Sequence, residues 1–405
     1  MVVTTDIAEP VVHQEGSRPA AAAGARVESV DILRGVVMVL MALDHARRFV
    51  TDVPFDPTDL ARTSAPLFFT RWITHFCAPV FFLLAGTAAF LALARGKPKR
   101  ELSRFLFVRG VWLMVLELTV VALAWSFAVD CTCIDLGVFW ALGWSMVVLA
   151  GLIHLPRFAV VLIGFGMIAS HNLCDGVSPA SLGAMAWLGR LLHVPGPIEG
   201  TPLVVGYPLV PWIGVMALGF ALGAVFQRSA AERRRFLVGA GLLAAGAFVV
   251  LRGASGYGDP LPWARGDRPV LSVLSFVNAT KYPPSLVFLL MTLGPSLVAL
   301  ALFERASGPI ARFFLVFGRV PLFFYVLHLF VVHAIALAVA CFQGGQVGFL
   351  FGASASEASL FPPWYGFGLP GVYAVWWLVV LLLYWPCRRF AELKRRHPSG
   401  WLTYL

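Results

Sequence analysis

Long uncharged runs, separated by short polar or Gly/Pro-containing stretches, recur along the whole chain. A run of about 20 apolar residues crosses a bilayer as a helix, whereas a membrane β-strand shows apolar–polar alternation. The runs predict ten helical spans, over residues 29–49, 71–94, 105–129, 134–155, 157–173, 206–226, 236–252, 284–303, 318–341 and 370–386. The fifth is short and ends on the polar stretch ASHNLCD. Two further apolar stretches, SLGAMAWLGRLLHV and LSVLSFVNATKYPPS, are too short to cross and are expected at a membrane surface. The predicted fold class is all-α: a polytopic integral membrane helical bundle.

Composition agrees. Of 405 residues, 59% are hydrophobic and 13% charged, about half the roughly 25% charge of soluble domains. The first 25 residues lack a basic start followed by an apolar core, so no cleaved signal peptide is expected there. Residues 1–25 are expected to be a disordered cytoplasmic tail, 26–387 a single membrane domain and 388–405 a basic cytoplasmic tail. The net charge of +10 has no accompanying nucleic-acid motif, and in a membrane protein Lys and Arg gather in cytoplasmic loops. With a cytoplasmic N-terminus the inner connections hold 18 Lys and Arg and the outer ones nine. That bias predicts both termini in the cytoplasm and a multi-pass protein of the inner (plasma) membrane. The expected partners are membrane lipid and no nucleic acid; a homodimer is an open alternative.

Cysteines stand at 77, 131, 133, 174, 341 and 387. Cys131, Cys133 and Cys174 fall on the outer side, where Cys174 has either of the other two as a bridging partner. A Cys131–Cys133 bridge is disfavoured, because so short a separation strains the geometry. The stretch CTC is a weak metal signal without other ligands nearby.

Ionisable groups within a bilayer cost several kcal/mol, and they usually mark function. Glu117 lies midway along the third span and His328 midway along the ninth, with His333 nearer the outer end. Tyr325 and His328 are three residues apart and share a helix face; His328 and His333 diverge by about 140°. At the outer end of the first span, nine uncharged residues lead into Asp44 and His45, then Arg47 and Arg48. Asp44 and His45 point about 100° apart on a helix, so Asp44 cannot orient its neighbour's ring. The second span offers His75 as a companion, stacked with Arg71 on one side. His45, His75, Arg71 and Asp44 are then expected to line one outer pocket with the loop carboxylates Asp52, Asp56 and Asp59. Neutral imidazole is the usual general base. His45 and His75 are candidates for that role. The bland alternative is interfacial anchoring or interhelical hydrogen bonding. A metal held by His45, His75 and Asp44 is demanded by no spacing, and none is expected.

Several stretches together resemble a known family. RVESVDILRGVVMVLMALDH, PLFFTRWITHFCAPVFFLLAGTAAFL, YPLVPWIGVMALGFALG, FVNATKYPPSLVFLLMTLGP and GRVPLFFYVLHLFVVH follow, in order over about residues 26–341, the pattern of the DUF1624 group of bacterial membrane proteins. That group is related to the catalytic domain of heparan-α-glucosaminide N-acetyltransferase; the acyltransferase-3 group is similar around VDILRG and FFYVLH. The resemblance implies a membrane acyltransferase that takes an acetyl group from cytosolic acetyl-CoA and places it on a sugar amine or hydroxyl across the bilayer, with a glycan or amino sugar as acceptor. In the family's lysosomal member the catalytic histidine lies in the loop after the first helix. Here the loop 51–70 has no histidine, so that residue does not transfer by position. His328 does match, within a shared YVxH pattern. His328 is thus a catalytic candidate by the shared pattern, and His45 and His75 by their place in space. The acyltransferase reading gives Arg71 or Lys281 as oxyanion stabiliser, with Asp44, Arg71, Lys281, Glu117 and Tyr325 as substrate-binding candidates. The competing class is a proton-coupled small-molecule transporter, with Glu117 and His328 as a relay. Against it, no paired broken helices stand at matching positions in the two halves.

Overall fold

The computed structural model describes residues 27–129, 133–352 and 358–397. The N-terminal tail, Cys131 and the last residues of the basic tail lie outside the described residues. Helices stand at all ten predicted spans. The first is α1 (Glu28–Val50). The second combines α2 (Ala65–Trp72), a 3-10 turn (Ile73–Phe76) and α3 (Cys77–Ala94). The third combines α4 (Lys99–Leu116), a π turn (Glu117–Val121) and α5 (Ala122–Ser126). After strand β1 (Ile134–Leu136) come α6 (Val138–Leu152) and α7 (Arg157–Ser170), which runs into a 3-10 turn (His171–Cys174). Helix α8 (Ala186–Leu192) and strands β2 (Gly196–Pro197) and β3 (Leu203–Val205) precede α9 (Leu209–Leu222) and α10 (Ala230–Ala254). Then follow α11 (Pro269–Val277), α12 (Leu286–Phe303), α13 (Gly308–Arg319), α14 (Pro321–Gln343) and α15 (Leu369–Arg396).

Eight of these ten segments are long and apolar enough to cross a membrane; the protein is a multi-pass helical membrane protein. The other two are α1, which carries charges at both ends, and α6, whose 15 residues reach only about 22 Å at 1.5 Å per residue.

Several boundaries differ from the hydropathy reading, and those of the fourth, ninth and third spans bear on the site. The fourth span starts at Val138 rather than 134, because Ile134–Leu136 pairs in parallel with Leu203–Val205 in a small three-stranded sheet. The ninth starts at Pro321, since a residue before proline is steered away from helix; α13 is a separate amphipathic helix, packed on α1 and α15. The third span begins earlier, at Lys99, and its interior widens into the π turn at Glu117. The short apolar stretches form a 3-10 turn (Pro179–Met185) with α8, and α11; α8 buries none of its residues.

Helix α1 is the hub of the bundle. It packs against α13, α14, α15, α3 and α12, and 16 of its 23 residues are buried. An apolar stripe on one side would leave the other side in lipid; burial all round means other helices surround this one. Its polar outer end therefore lies among helices, not at a lipid-facing rim. Five helix pairs approach at a glycine from each partner: Gly35 with Gly318, Gly86 with Gly219, Gly110 with Gly143, Gly164 with Gly214, and Gly241 with Gly294. In each, a Cβ would meet the facing backbone. Lipid tails are as apolar as side chains, so close backbone packing replaces the hydrophobic effect in holding membrane helices together.

With all ten segments crossing, both ends lie on one side, and the basic bias predicts that this side is the cytoplasm. Reporter fusions after Arg100 and after Arg235 are expected to report cytoplasm. An outer-side signal from either would reverse the orientation and the placement of the site below.

Candidate functional site

The last turns of α1 project His45 towards α14. His45 Nδ1 lies 2.7 Å from His328 Nε2, with the two ring planes 11° apart. His328 Nδ1 is 3.0 Å from the Phe324 carbonyl one turn earlier. A carbonyl only accepts, so His328 Nδ1 carries a proton. In a neutral ring its Nε2 is then an acceptor, and His45 must donate through Nδ1. That leaves His45 Nε2 with its lone pair, fixed in direction by the pair. His328 is fully buried while His45 is partly open. One ring can therefore meet a substrate and the other can only orient it. Tyr325 and Trp125 stand edge-on to His45, with centroids 6.2 and 5.0 Å away, and Phe324 stacks on His328 at 5.1 Å. Aromatic rings thus wall the histidine pair.

The expected companion of His45 is thus corrected: His328, not His75, meets it. His75 lies in the 3-10 turn, 3% exposed, against Phe288 at 5.5 Å, and its Nδ1 has no hydrogen-bond partner. The 3-10 turn that carries His75 packs against α1, but the ring makes no bond to His45. His333 is also separate. Its ring nitrogens face the Ala124 and Leu350 carbonyls at 3.0 and 2.7 Å, and Phe127 stacks on it at 3.7 Å.

Asp44 points away from His45, as the helix angle requires. It accepts from Arg47 at 3.1 Å and Arg71 at 2.8 Å, and Arg71 also donates to Thr74 at 3.2 Å. Lys281 lies in the loop before α12, near this group, its ammonium 5.1 Å from the Tyr282 ring. Two guanidiniums and an ammonium around one carboxylate leave the outer side of the site electropositive. Desolvation pushes the Tyr282 phenol up, and the cations Lys281 and Arg71 more than reverse this, so it sits below the usual tyrosine value. Its hydroxyl is 3.4 Å from that of Tyr207. No hydropathy pattern marks Tyr207, Tyr282 or Trp125 as neighbours of the site.

Asp56 and Asp59 build turns in their loop. Asp56 accepts from the Thr58 amide and hydroxyl, both at 2.8 Å, and Asp59 from the Ala61 amide at 3.0 Å. Burial would raise the Asp56 carboxyl, but the Thr58 bonds, with Arg71 and Arg47, hold it below the usual range. Glu117 accepts from the Phe139 amide at 2.8 Å, which caps the start of α6 against the helix dipole. Its place is therefore structural as well as central. Cys174 is exposed and bridged to no described cysteine, so the Cys174–Cys133 alternative does not form.

A multi-pass helical bundle with a histidine pair beside a cluster of cationic side chains defines the class: a helical membrane protein. The particular family follows from the chain itself. Residues 26–254 match the family model described as heparan-alpha-glucosaminide N-acetyltransferase, catalytic, and the chain belongs to that family. No curated protein matches it. The matched segment holds Asp44, His45, Arg71, His75 and Glu117; Lys281, Tyr325 and His328 lie beyond it, on elements that the fold returns to α1.

Proposed function

We propose that the protein is an acetyltransferase of the inner (plasma) membrane, moving the acetyl group of cytosolic acetyl-CoA to an amine or hydroxyl of a sugar at the outer face. The family membership supports an acyltransferase; the observation that carries the mechanism is the 2.7 Å His45–His328 pair. His45 Nε2 takes the proton from the acceptor amine or hydroxyl as that nitrogen or oxygen attacks the thioester carbonyl. A C–N or C–O bond forms, and Lys281 and Arg71 stabilise the negative charge on the carbonyl oxygen. Arg71 is committed to Asp44, whereas Lys281 makes no ion pair among the described residues, so Lys281 is the freer of the two. The C–S bond then breaks, and the coenzyme A thiolate takes up the proton held by His45. Through its hydrogen bond, His328 stabilises the imidazolium that His45 becomes.

Purified protein in nanodiscs is expected to release coenzyme A from acetyl-CoA only with an amino sugar or envelope glycan present, and to yield the acetylated acceptor. His328→Gln is expected to retain more of this activity than His328→Ala, because the amide oxygen still accepts from His45 Nδ1. Proton-coupled uptake by proteoliposomes, with no dependence on acetyl-CoA, would overturn the proposal in favour of a transporter.

A further inference from the structure

Where α7 ends, a second histidine cluster stands outside the site described above. His193 Nε2, just after α8, lies 3.0 Å from Asp175 Oδ1. The other carboxylate oxygen of Asp175 accepts from Asn172 Nδ2 at 2.8 Å. The Asn172 carbonyl oxygen in turn accepts from the Leu286 amide at 2.9 Å, at the start of α12. His171 completes the group, its ring 5.6 Å from that of His193. One ligand atom from each of His171, Asp175 and His193 lies within 4.8 Å of the others. His171 is 4% exposed, and neither of its ring nitrogens has a hydrogen-bond partner; the Pro284 carbonyl is near but outside hydrogen-bond geometry.

A hydrogen-bonded His193–Asp175 pair alone would account for two of these side chains. It leaves the His171 imidazole buried with both nitrogens unused, which is costly for a group that can donate and accept. A shared cation resolves this. We propose that His171, Asp175 and His193 bind one Zn²⁺, with a water in the fourth position. Two imidazoles and one carboxylate are a borderline N/O set that suits Zn²⁺, whereas Ca²⁺ and Mg²⁺ take oxygen-rich cages. With bonds of about 2.0–2.1 Å, tetrahedral ligands stand roughly 3.3 Å apart, so ligand atoms now within 4.8 Å of one another need close by at most about 1.5 Å. Asn172 orients the ligating carboxylate, as outer partners in zinc sites commonly do. The ion joins the end of α7 to the end of α8 and, through Asn172, to α12. The sequence shows only an H-x-x-x-D turn and one distant histidine, which no zinc spacing would single out.

The test uses the full chain without a histidine tag, purified in detergent, stripped with chelator and titrated with Co²⁺ and Zn²⁺. Wild type is expected to bind one ion per chain, with the intense visible absorption of four-coordinate Co²⁺ that Zn²⁺ abolishes, and Zn²⁺ should raise its Tm. His171→Gln and Asp175→Asn should lose the absorption and the Tm rise. Asn172→Ala should weaken Zn²⁺ binding by about 10–100-fold. Equal metal binding by the ligand variants would place the ion elsewhere and overturn the site. If those variants fail to fold, wild type decides alone: no four-coordinate Co²⁺ band overturns the proposal.

Discussion

Replacing His45 by alanine is expected to cut kcat for acetyl transfer by about 10²–10⁴-fold, roughly 3–5 kcal/mol on the barrier, while leaving the protein folded. The fold should survive because His45 is only partly buried and its apolar neighbours remain. His75→Ala should cost less than about tenfold, below the range for loss of a general base, since His75 has no bond to the pair. The rate–pH profile supplies a second readout. In wild type kcat should rise with pH as the imidazole loses its proton, and that limb should vanish in His45→Ala. If His45→Ala keeps more than about a tenth of wild-type kcat, the loss falls short of the general-base range and the base lies elsewhere. Asp44→Asn separates proximity from chemistry: it breaks the Arg47 and Arg71 pairs but leaves the His45–His328 bond intact.

The second large effect is on stability. Gly35→Ala or Gly318→Ala is expected to destabilise the bundle by at least the ~1–3 kcal/mol of ordinary overpacking. The added Cβ at Gly35 would fall on the Phe314 carbonyl, and that at Gly318 on the Asp31 carbonyl. Both obstacles are backbone, which cannot swing aside as a side chain can. The gain in helix propensity, up to ~1 kcal/mol, does not offset this. Gly166→Ala in α7 is the control: nothing lies within 4 Å of its Cβ, so only the propensity gain remains. Melting in detergent should show the first two variants well below wild type and the control at or above it. Equal Tm values for all three would mean that α1 and α13 do not meet this closely. Activity should fall with the first two as well. Helix α13 leads at Pro321 into α14, so separating it from α1 also separates His328 from His45.

Hydropathy alone was enough to place a helix at each of the ten positions, eight of them long and apolar enough to cross a membrane, because the length and composition of an apolar run are local properties that the bilayer selects directly. The helix angle between adjacent residues was likewise enough to turn Asp44 away from His45. Breaks in regular helix were not legible: the 3-10 turn that carries His75 and the π turn at Glu117 leave no mark in an apolar pattern. Nor was α13 distinct from α14 until Pro321 separated them. The partner of His45 was decided by tertiary structure, since His328 is 283 residues away and both lie on apolar helices of similar composition. The cluster of His171, Asp175 and His193 is of the same kind. Which spans become neighbours depends on where glycines let backbones approach, as Gly35 and Gly318 do for α1 and α13. That fit is a property of two surfaces together, and neither segment's sequence contains it.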